Sequence, residues 1–243
     1  MFPTTQHASE IDLLRVSEFQ RRQTETARGE DTGAGSTRLS SLNPSLLQDL
    51  LRFDAPKRAG VGLELIEVMA AAVRHGRDLL LHLEHELRVF PLTVFPVQRQ
   101  VHAPLNQQQL LALPLHQLRV LHVEPARLHP DDEPDARSPL GLLLWELALR
   151  GSRDELLPEI AGSAAYRIAP GLDLERLDLT GSLAAAVLRL RVQACNVREM
   201  ATWPGFDRER AMRLLNALYL QAGLIVSRTH PAANNDGWFN STR

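Results

Sequence analysis

The feature that most constrains this chain is a change in hydrophobic period at Gly76. Before it, apolar residues recur at helical spacing and predict a helix over residues 62–75 that ends at the glycine. After it, Leu79, Leu81 and Leu83 alternate with more polar neighbours, which is the period of a half-buried strand. An all-helical fold is therefore excluded. The helical stripe consists of Leu65, Val68, Met69, Ala72 and Val73.

The strand-like pattern continues after residue 83 and predicts a sheet. Asn106 is a good N-cap for a short helix, and residues 118–124 return to strand composition. Pro91 and Pro96 must lie at edges, ends or bulges, because proline cannot donate to a sheet ladder. We therefore expect an α+β module over residues 43–124 with a mainly antiparallel sheet.

The segments around this module differ from it in composition. Residues 1–42 are polar and rich in glycine, threonine and charge in their second half, which predicts a flexible N-terminal arm. Residues 125–137 are acidic and proline-rich, so we place a linker and domain boundary there. Residues 138–180 form a predicted connecting helical region. Its first helix is closed by Gly151 and is apolar nearly all round, which predicts burial between domains.

Composition limits the class of protein. The chain has 243 residues, 44% of them hydrophobic, which is enough for a buried core and excludes wholesale disorder. No apolar run reaches the roughly 18 residues of a membrane-spanning helix. The N-terminus lacks the basic start and apolar run of a secretory signal. We expect a bacterial-type cytoplasmic protein.

Charge is distributed unevenly along the chain. Residues 181–243 carry eight arginines and four acidic residues, a balance of +4. Because the whole chain has a net charge of −2, residues 1–180 carry −6. An acidic body with a basic end is typical of a protein that binds nucleic acid through that end.

The basic end, residues 181–243, has three predicted helices and a predicted hairpin. Each boundary has a local signal: a cap, a breaker or a turn residue. The boundaries are Ser182 capping residues 183–194, Asn196 with Glu199 capping the second helix, the turn Trp203–Phe206, Asp207 capping residues 208–221, Gly223 ending that helix, a strand over residues 224–228, a turn over residues 234–237 and a return strand over residues 238–240.

Three short helices followed by a β-hairpin resemble the winged helix-turn-helix superfamily, over roughly residues 181–241. The resemblance implies that residues 208–221 form a recognition helix and residues 229–237 a wing, and therefore that this winged helix-like domain binds duplex DNA. The wing departs from a phosphate-gripping pattern, because it carries no Arg or Lys beyond Arg228 at its base.

The contact residues follow from the inward stripe of the third helix. With Ala211, Leu214, Leu215 and Leu218 facing the core, we expect Arg208, Arg213 and Asn216 to face outward. Arginine can pair with guanine and asparagine with adenine in the major groove. The positions expected to contact phosphates beside this helix are Arg189, Arg191, Arg198 and Arg210. Arg228, at the base of the wing, is a further expected nucleic-acid contact.

The same helix has an apolar and aromatic side that supports a second interpretation. Met212, Tyr219 and Leu220 are residue types that suit a protein interface. The alternative function is therefore a signalling adaptor that uses the winged helix for protein–protein contact. In the adaptor, the acidic body and the apolar helix over residues 140–149 would face partner proteins. In the DNA-binding protein, the N-terminal module would sense a signal or pair two chains, since a homodimer doubles a short recognition site.

Catalysis has little support. Cys195 is the only cysteine and has no predicted His partner with an orienting group, so it is expected to be a buried filler. His82, His102 and His122 lie one on each of three predicted strands, and would hold a metal only if those strands brought them together. We expect a non-catalytic protein without a cofactor.

Overall fold

The period-two segment after Gly76 forms the centre of an antiparallel sheet in the computed structural model. The sheet has the order β5-β2-β3-β4-β6, and β1 pairs with the part of β3 that β4 leaves open. Its strands are β1 (Leu14–Arg15), β2 (Leu79–His85), β3 (Arg88–Phe95), β4 (Gln100–His102), β5 (Arg119–Pro125) and β6 (Arg137–Pro139). The structure describes residues 14–29, 45, 48, 64–126, 137–174, 177 and 179–234.

Seven α-helices and a second, two-stranded sheet complete the described part of the chain. The helices are α1 (Val16–Gly29), α2 (Leu65–His75), α3 (Gln107–Ala112), α4 (Leu140–Arg150), α5 (Gly181–Val192), α6 (Val197–Met200) and α7 (Arg208–Leu220). The second sheet pairs β7 (Ala165–Ile168) with β8 (Leu224–Ser227). The predicted α+β class is confirmed. None of the helices in the described ranges is long and apolar enough to cross a membrane.

Strand β2 confirms the predicted alternation. Leu79, Leu81 and Leu83 are fully buried on the inner face, while the residues between them are half-buried on the other. Pro91 is exposed and lies in β3 between the stretches paired with β1 and with β4, where β3 has only one described neighbour. Pro96 follows the last residue of β3. Pro91 therefore has no second described strand beside it that would need a backbone N–H, and Pro96 lies outside the ladder.

Most of the predicted helix caps are confirmed. Gly76 ends α2 in the left-handed region with φ of 58°. Asn106 and Gln109 form a reciprocal capping box at the start of α3. Asn196 accepts from the Glu199 amide at 2.7 Å at the start of α6. Each of these signals acts within one helical turn, so the sequence alone was enough to place it.

The predicted flexible N-terminal arm differs from the structure over residues 14–29. Leu14 pairs with Val89 to extend the sheet, and α1 follows at once. Phe19 is buried, with its ring centroid 4.7 Å from that of His82. The polar composition of α1 gave no sign that Phe19 would be buried, because the residue that it contacts lies more than 60 positions away in the sequence. The other residues of the predicted arm lie outside the described ranges.

Helix α4 is buried, as its apolar composition predicts. It contacts α2, β4 and α7, and Trp145 at its centre is fully buried. Its buried residues belong to one continuous cluster that runs from α2 to α7. The predicted linker lies outside the described ranges between residues 127 and 136, and β6 after it joins the same sheet as β5 before it.

Helices α4 and α7 run antiparallel, and hydrogen bonds hold them together at both ends. At one end Gln221 Nε2 donates to the carbonyl of Gly141 at 2.7 Å. At the other, the Arg213 guanidinium donates to the carbonyls of Leu149 and Gly151 at 3.2 and 2.8 Å. Helix α7 is therefore attached to α4 from Arg213 to its C-terminal end, and that part of the helix does not stand away from the rest of the protein.

The basic end keeps the predicted order of helices, with two corrections. Ser182 does not cap α5, because the helix already begins at Gly181 and its N-cap residue is Thr180, which makes no side-chain capping hydrogen bond. The residue in the left-handed region after α7 is Ala222, at φ of 57°, and not Gly223. Gly223 is needed for another reason, because a Cβ there would lie 2.1 Å from Leu172 Cδ2. Strand β8 follows as predicted and pairs with β7. The predicted turn over residues 234–237 and return strand over residues 238–240 lie beyond the described residues, apart from Asn234.

Candidate functional site

The turn between α6 and α7 presents two arginines on aromatic rings. Trp203 and Phe206 make an edge-to-face contact with centroids 6.1 Å apart. The Arg189 guanidinium lies 5.3 Å from the centroid of Trp203, and that of Arg210 lies 5.4 Å from the centroid of Phe206. Cation–π contact limits the motion of both side chains while both residues stay exposed.

Arg198 and Arg208 lie on the other side of the same turn. Both are exposed and line an open cleft of about 690 Å³ between the start of α6, the start of α7 and the loop 154–164. Among the described residues, no carboxylate lies within 4 Å of either guanidinium. The same holds for Arg210. These three predicted phosphate and base contacts therefore have charges available to an external anion, although Asp154, Glu155 and Glu209 line the same cleft as Arg198 and Arg208.

Arg213 is used inside the protein, which corrects its predicted role as a base contact. Its guanidinium pairs with Glu209 at 2.8 Å and caps the end of α4 through two carbonyls. Only 17% of the side chain is exposed. A group with its donors engaged in this way cannot form a bidentate pair with guanine without breaking the helix contact.

Asn216 is fully buried, which corrects its predicted outward orientation. Its Oδ1 accepts from the Leu157 amide at 2.9 Å, and its Nδ2 donates to the Glu155 carbonyl at 2.8 Å. The side chain satisfies a loop backbone that would otherwise be buried without hydrogen bonds. The inward stripe was predicted correctly, but α7 buries a wider face because α4 covers it.

Arg228 lies after β8, at the predicted base of the wing. It is exposed, and its Nη2 donates to the Glu159 carbonyl at the long distance of 3.5 Å. It is on the loop that follows the second sheet, and its guanidinium lies next to Gly162, which lines the cleft of Arg198 and Arg208. The structure therefore leaves Arg228 accessible at the edge of that cleft.

The apolar residues of the adaptor interpretation do not form a surface. Met212 and Leu220 are buried, and Tyr219 is half-buried against the main core. A different pair is exposed, since Leu188 and Val192 on α5 have 65% and 79% of their surface accessible. The sequence analysis missed this pair. Their spacing of four, off the inward stripe of α5, is the signal that would have found them.

The three strand histidines do not converge. His82 and His122 are directly opposite on β2 and β5, with ring centroids 5.9 Å apart. His102 is opposite Thr93 on β4, and β3 separates β4 from β2, a distance of about 10 Å. In the described ranges, no group of three or more His, Cys, Asp or Glu is placed to hold a metal ion.

Cys195 is a buried thiol next to the second sheet. It is fully buried, and its backbone pairs with Tyr166 through hydrogen bonds of 2.8 and 3.0 Å. Burial raises the pKa of the Cys195 thiol to about 11, so it stays protonated at neutral pH. This agrees with the expected role as a small core residue.

No family model, curated protein or solved structure matched the chain in three comparisons with known proteins.

Proposed function

We propose that this protein is a non-catalytic cytoplasmic regulator that binds duplex DNA through phosphate contacts of its arginine turn. The arginine turn comprises Arg189, Arg198, Arg208 and Arg210, around the residues that join α6 to α7. The observation that carries the proposal is that these four guanidiniums are exposed and, within the described ranges, none forms an ion pair. Phosphate contacts supply most of the affinity of DNA-binding proteins.

The acidic residues of the turn are partly engaged elsewhere. Asp207 Oδ1 accepts from the Arg210 backbone amide at 2.7 Å, and Glu209 pairs with Arg213. Glu199 is a third carboxylate of the turn, and Asp154 and Glu155 line the cleft of Arg198 and Arg208. Within the described ranges none of these three carboxylates pairs with a guanidinium of the turn, so the four guanidiniums keep N–H donors for phosphate oxygens.

The winged-helix architecture is part of the proposal. It is supported by the order α5, α6, α7 and β8, which is the order of that superfamily up to the wing. Only the first turn of α7 is accessible, so Arg208 is the one predicted base contact that can enter a groove. We therefore expect affinity with little base readout and a sequence preference that comes from DNA shape.

The test measures binding of the full chain to a duplex as a function of salt. Replacing Arg198, Arg208 and Arg210 with alanine removes three phosphate contacts. The slope of log K against log salt concentration should become shallower by about 2 to 3. Fluorescence anisotropy with a labelled duplex of mixed sequence, at 50 to 200 mM salt, gives the slope.

A matched control removes three other exposed arginines. Arg77, Arg88 and Arg119 belong to the sheet module, and like the tested three they have no ion pair among the described residues. The control triple alanine variant has the same net charge as the test variant. If both variants weaken binding equally, the effect is one of net charge and the proposed site is wrong.

Protein contact is the second candidate, and its supporting observation is the exposed pair Leu188 and Val192 on α5. The occupant we favour is a second copy of the chain, since two-fold pairing would double the DNA contacts of one short helix turn. The pair is self-complementary, as required when a helix packs against its symmetry mate.

Sedimentation equilibrium tests this pairing. The native chain is expected to form dimers, and Leu188→Ser with Val192→Ser should raise the dimer dissociation constant at least tenfold. Ile225→Ser, at an exposed apolar position on β8, serves as the control. A dimer that is unchanged by the α5 substitutions would exclude this face. A chain that stays monomeric at 100 µM protein, roughly the upper limit of weak association, would exclude the pairing itself.

A further inference from the structure

A second cleft lies at the opposite end of α7 from the arginine turn. It has a volume of about 750 Å³ and is bordered by the β3–β4 turn, the start of α4 and the end of α7. Most of its lining side chains are amides or charged groups. They include Gln98, Arg99, Gln100, Arg137, Asp173 and Gln221.

Arg99 is the group around which this cleft is built. Its backbone adopts φ of 55°, a region that non-glycine residues rarely enter, and its carbonyl accepts from the Leu140 amide at 2.9 Å. The turn between β3 and β4 is thereby joined to α4. This contact directs the Arg99 side chain toward the end of α7.

Within the described ranges the Arg99 guanidinium has two hydrogen bonds and no counter-charge. Nη1 donates to the Leu220 carbonyl and Nη2 to Gln221 Oε1, both at 3.1 Å. Among the described residues no carboxylate lies within 4 Å of it. Burial lowers the pKa of Arg99, and no neighbouring acid opposes that effect. Arginine nevertheless stays charged at neutral pH, and three of its five N–H donors have no acceptor among the described residues.

Neutral amides surround this charge. Gln100 Oε1 accepts from Arg137 Nη1 at 3.1 Å, and Gln221 Nε2 donates to the Gly141 carbonyl. Side chains fixed in this way can add directional hydrogen bonds to a ligand without neutralising the guanidinium. Asp173 is the one carboxylate among the described residues of the lining, and it is exposed.

We propose that this cleft binds the oxyanion of a small molecule, a carboxylate or a phosphate group, on Arg99. A half-buried cation without a counter-ion is costly, and an oxyanion supplies both the missing charge and the missing acceptors. The volume is in the range of small-molecule sites. The site is separate from the arginine turn and would serve as a ligand sensor in the N-terminal module.

The experiment follows the Arg99 Nε–H resonance of the full chain by NMR during titration with inorganic phosphate and, separately, with acetate. Sodium chloride keeps the ionic strength constant. The expected result is a saturable shift with a dissociation constant in the millimolar range or tighter. The stronger of the two probes identifies the headgroup. A shift that is linear for both probes, as for chloride, overturns the proposal.

The key variant is Leu142→Glu, which places a carboxylate in the lining and leaves Arg99 in place. It should weaken probe binding at least tenfold, because the new carboxylate competes for the same guanidinium. The neutral control Leu142→Gln should stay within about twofold of the native chain. Equal binding by these two variants would overturn the proposal. Arg99→Gln identifies the resonance, but it also removes the hydrogen bond to the end of α7, so it is not the deciding variant.

The alanine variant of Arg198, Arg208 and Arg210 separates the two proposals. Its Arg99 shift should equal that of the native chain. If the shift is lost in that variant, the probe is bound at the arginine turn and the cleft is not the site.

Discussion

Arg208 and Arg213 lie five residues apart on one helix and do opposite work. Arg208 is exposed and has no carboxylate within 4 Å among the described residues, whereas Arg213 pairs with Glu209 and caps the end of α4. From residue type and helical spacing alone, the sequence predicts both arginines to be base contacts. The difference lies in α4, which covers α7 from Arg213 onward and leaves only the first turn accessible.

The comparison shows that an arginine contributes to binding only where the fold leaves its donors unused. In the first turn of α7 the guanidiniums are available and removal should cost the fold little. Beyond that turn, polar side chains of α7 make hydrogen bonds to backbone groups of α4 and of the loop 153–159. Those backbone groups would otherwise have no partner. Four variants, the last of them a double substitution, test this division and are ordered here by the size of their effect on stability.

Asn216→Leu should destabilise the fold most, by about 3 kcal/mol. It leaves the buried Leu157 amide without its acceptor, at about 1 to 3 kcal/mol, and it removes a second hydrogen bond, to the Glu155 carbonyl, worth about 1 kcal/mol. Urea unfolding measures the loss. Arg208→Leu, with a similar change of side chain on the exposed turn, should stay within about 0.5 kcal/mol. Equal losses for the two variants would contradict the division.

Arg213→Ala should cost about 2 kcal/mol, because two charged hydrogen bonds to the end of α4 disappear. Glu209→Gln isolates the ion pair, and since Glu209 is exposed it should cost less than about 0.5 kcal/mol. The pair of thermal or urea unfolding curves checks both values. A Glu209→Gln loss as large as that of Arg213→Ala would place the stabilising effect in the ion pair instead of the cap.

Ala222→Gly should stabilise the chain by about 1 kcal/mol, since Ala222 pays the penalty of a left-handed conformation. The substitution acts at the end of α7 that is farthest from the arginine turn, so DNA affinity should not change. Differential scanning calorimetry would show a higher midpoint. A lower midpoint would mean that the alanine methyl group makes contacts worth more than the strain.

Arg208→Ala with Arg210→Ala should change stability least, by under about 0.5 kcal/mol, and yet reduce DNA affinity most steeply at low salt. Loss of the Arg210 contact with Phe206 accounts for the stability that does change. A large loss of stability in this variant would show that the arginine turn is structural.

The elements set by local chemistry could be predicted. Gly76, Asn106 and Asp207 each fix a helix boundary through contacts within a few residues, and the structure confirms all three. The apolar alternation in β2 correctly predicts which of its side chains are buried, because successive side chains of a strand point to opposite faces of the sheet.

The predictions were wrong where contacts between segments distant in sequence determine the order or the burial of a residue. Phe19 orders α1 through a contact with β2, and Asn216 is buried because the loop near residue 155 needs its amide. Helical periodicity identifies one buried face and cannot show that a second helix covers another. For the same reason Arg99 gave no sequence signal, since its surroundings come from the ends of two helices.

The antiparallel attachment of α7 to α4 limits how the C-terminal part can move. Sliding α7 by one residue, about 1.5 Å, would break the Gln221 bond at one end and the Arg213 bonds at the other together. A piston motion is therefore opposed at both ends. The part of α7 from Arg213 onward therefore moves with α4, and the arginine turn cannot be displaced by sliding of this helix along its axis.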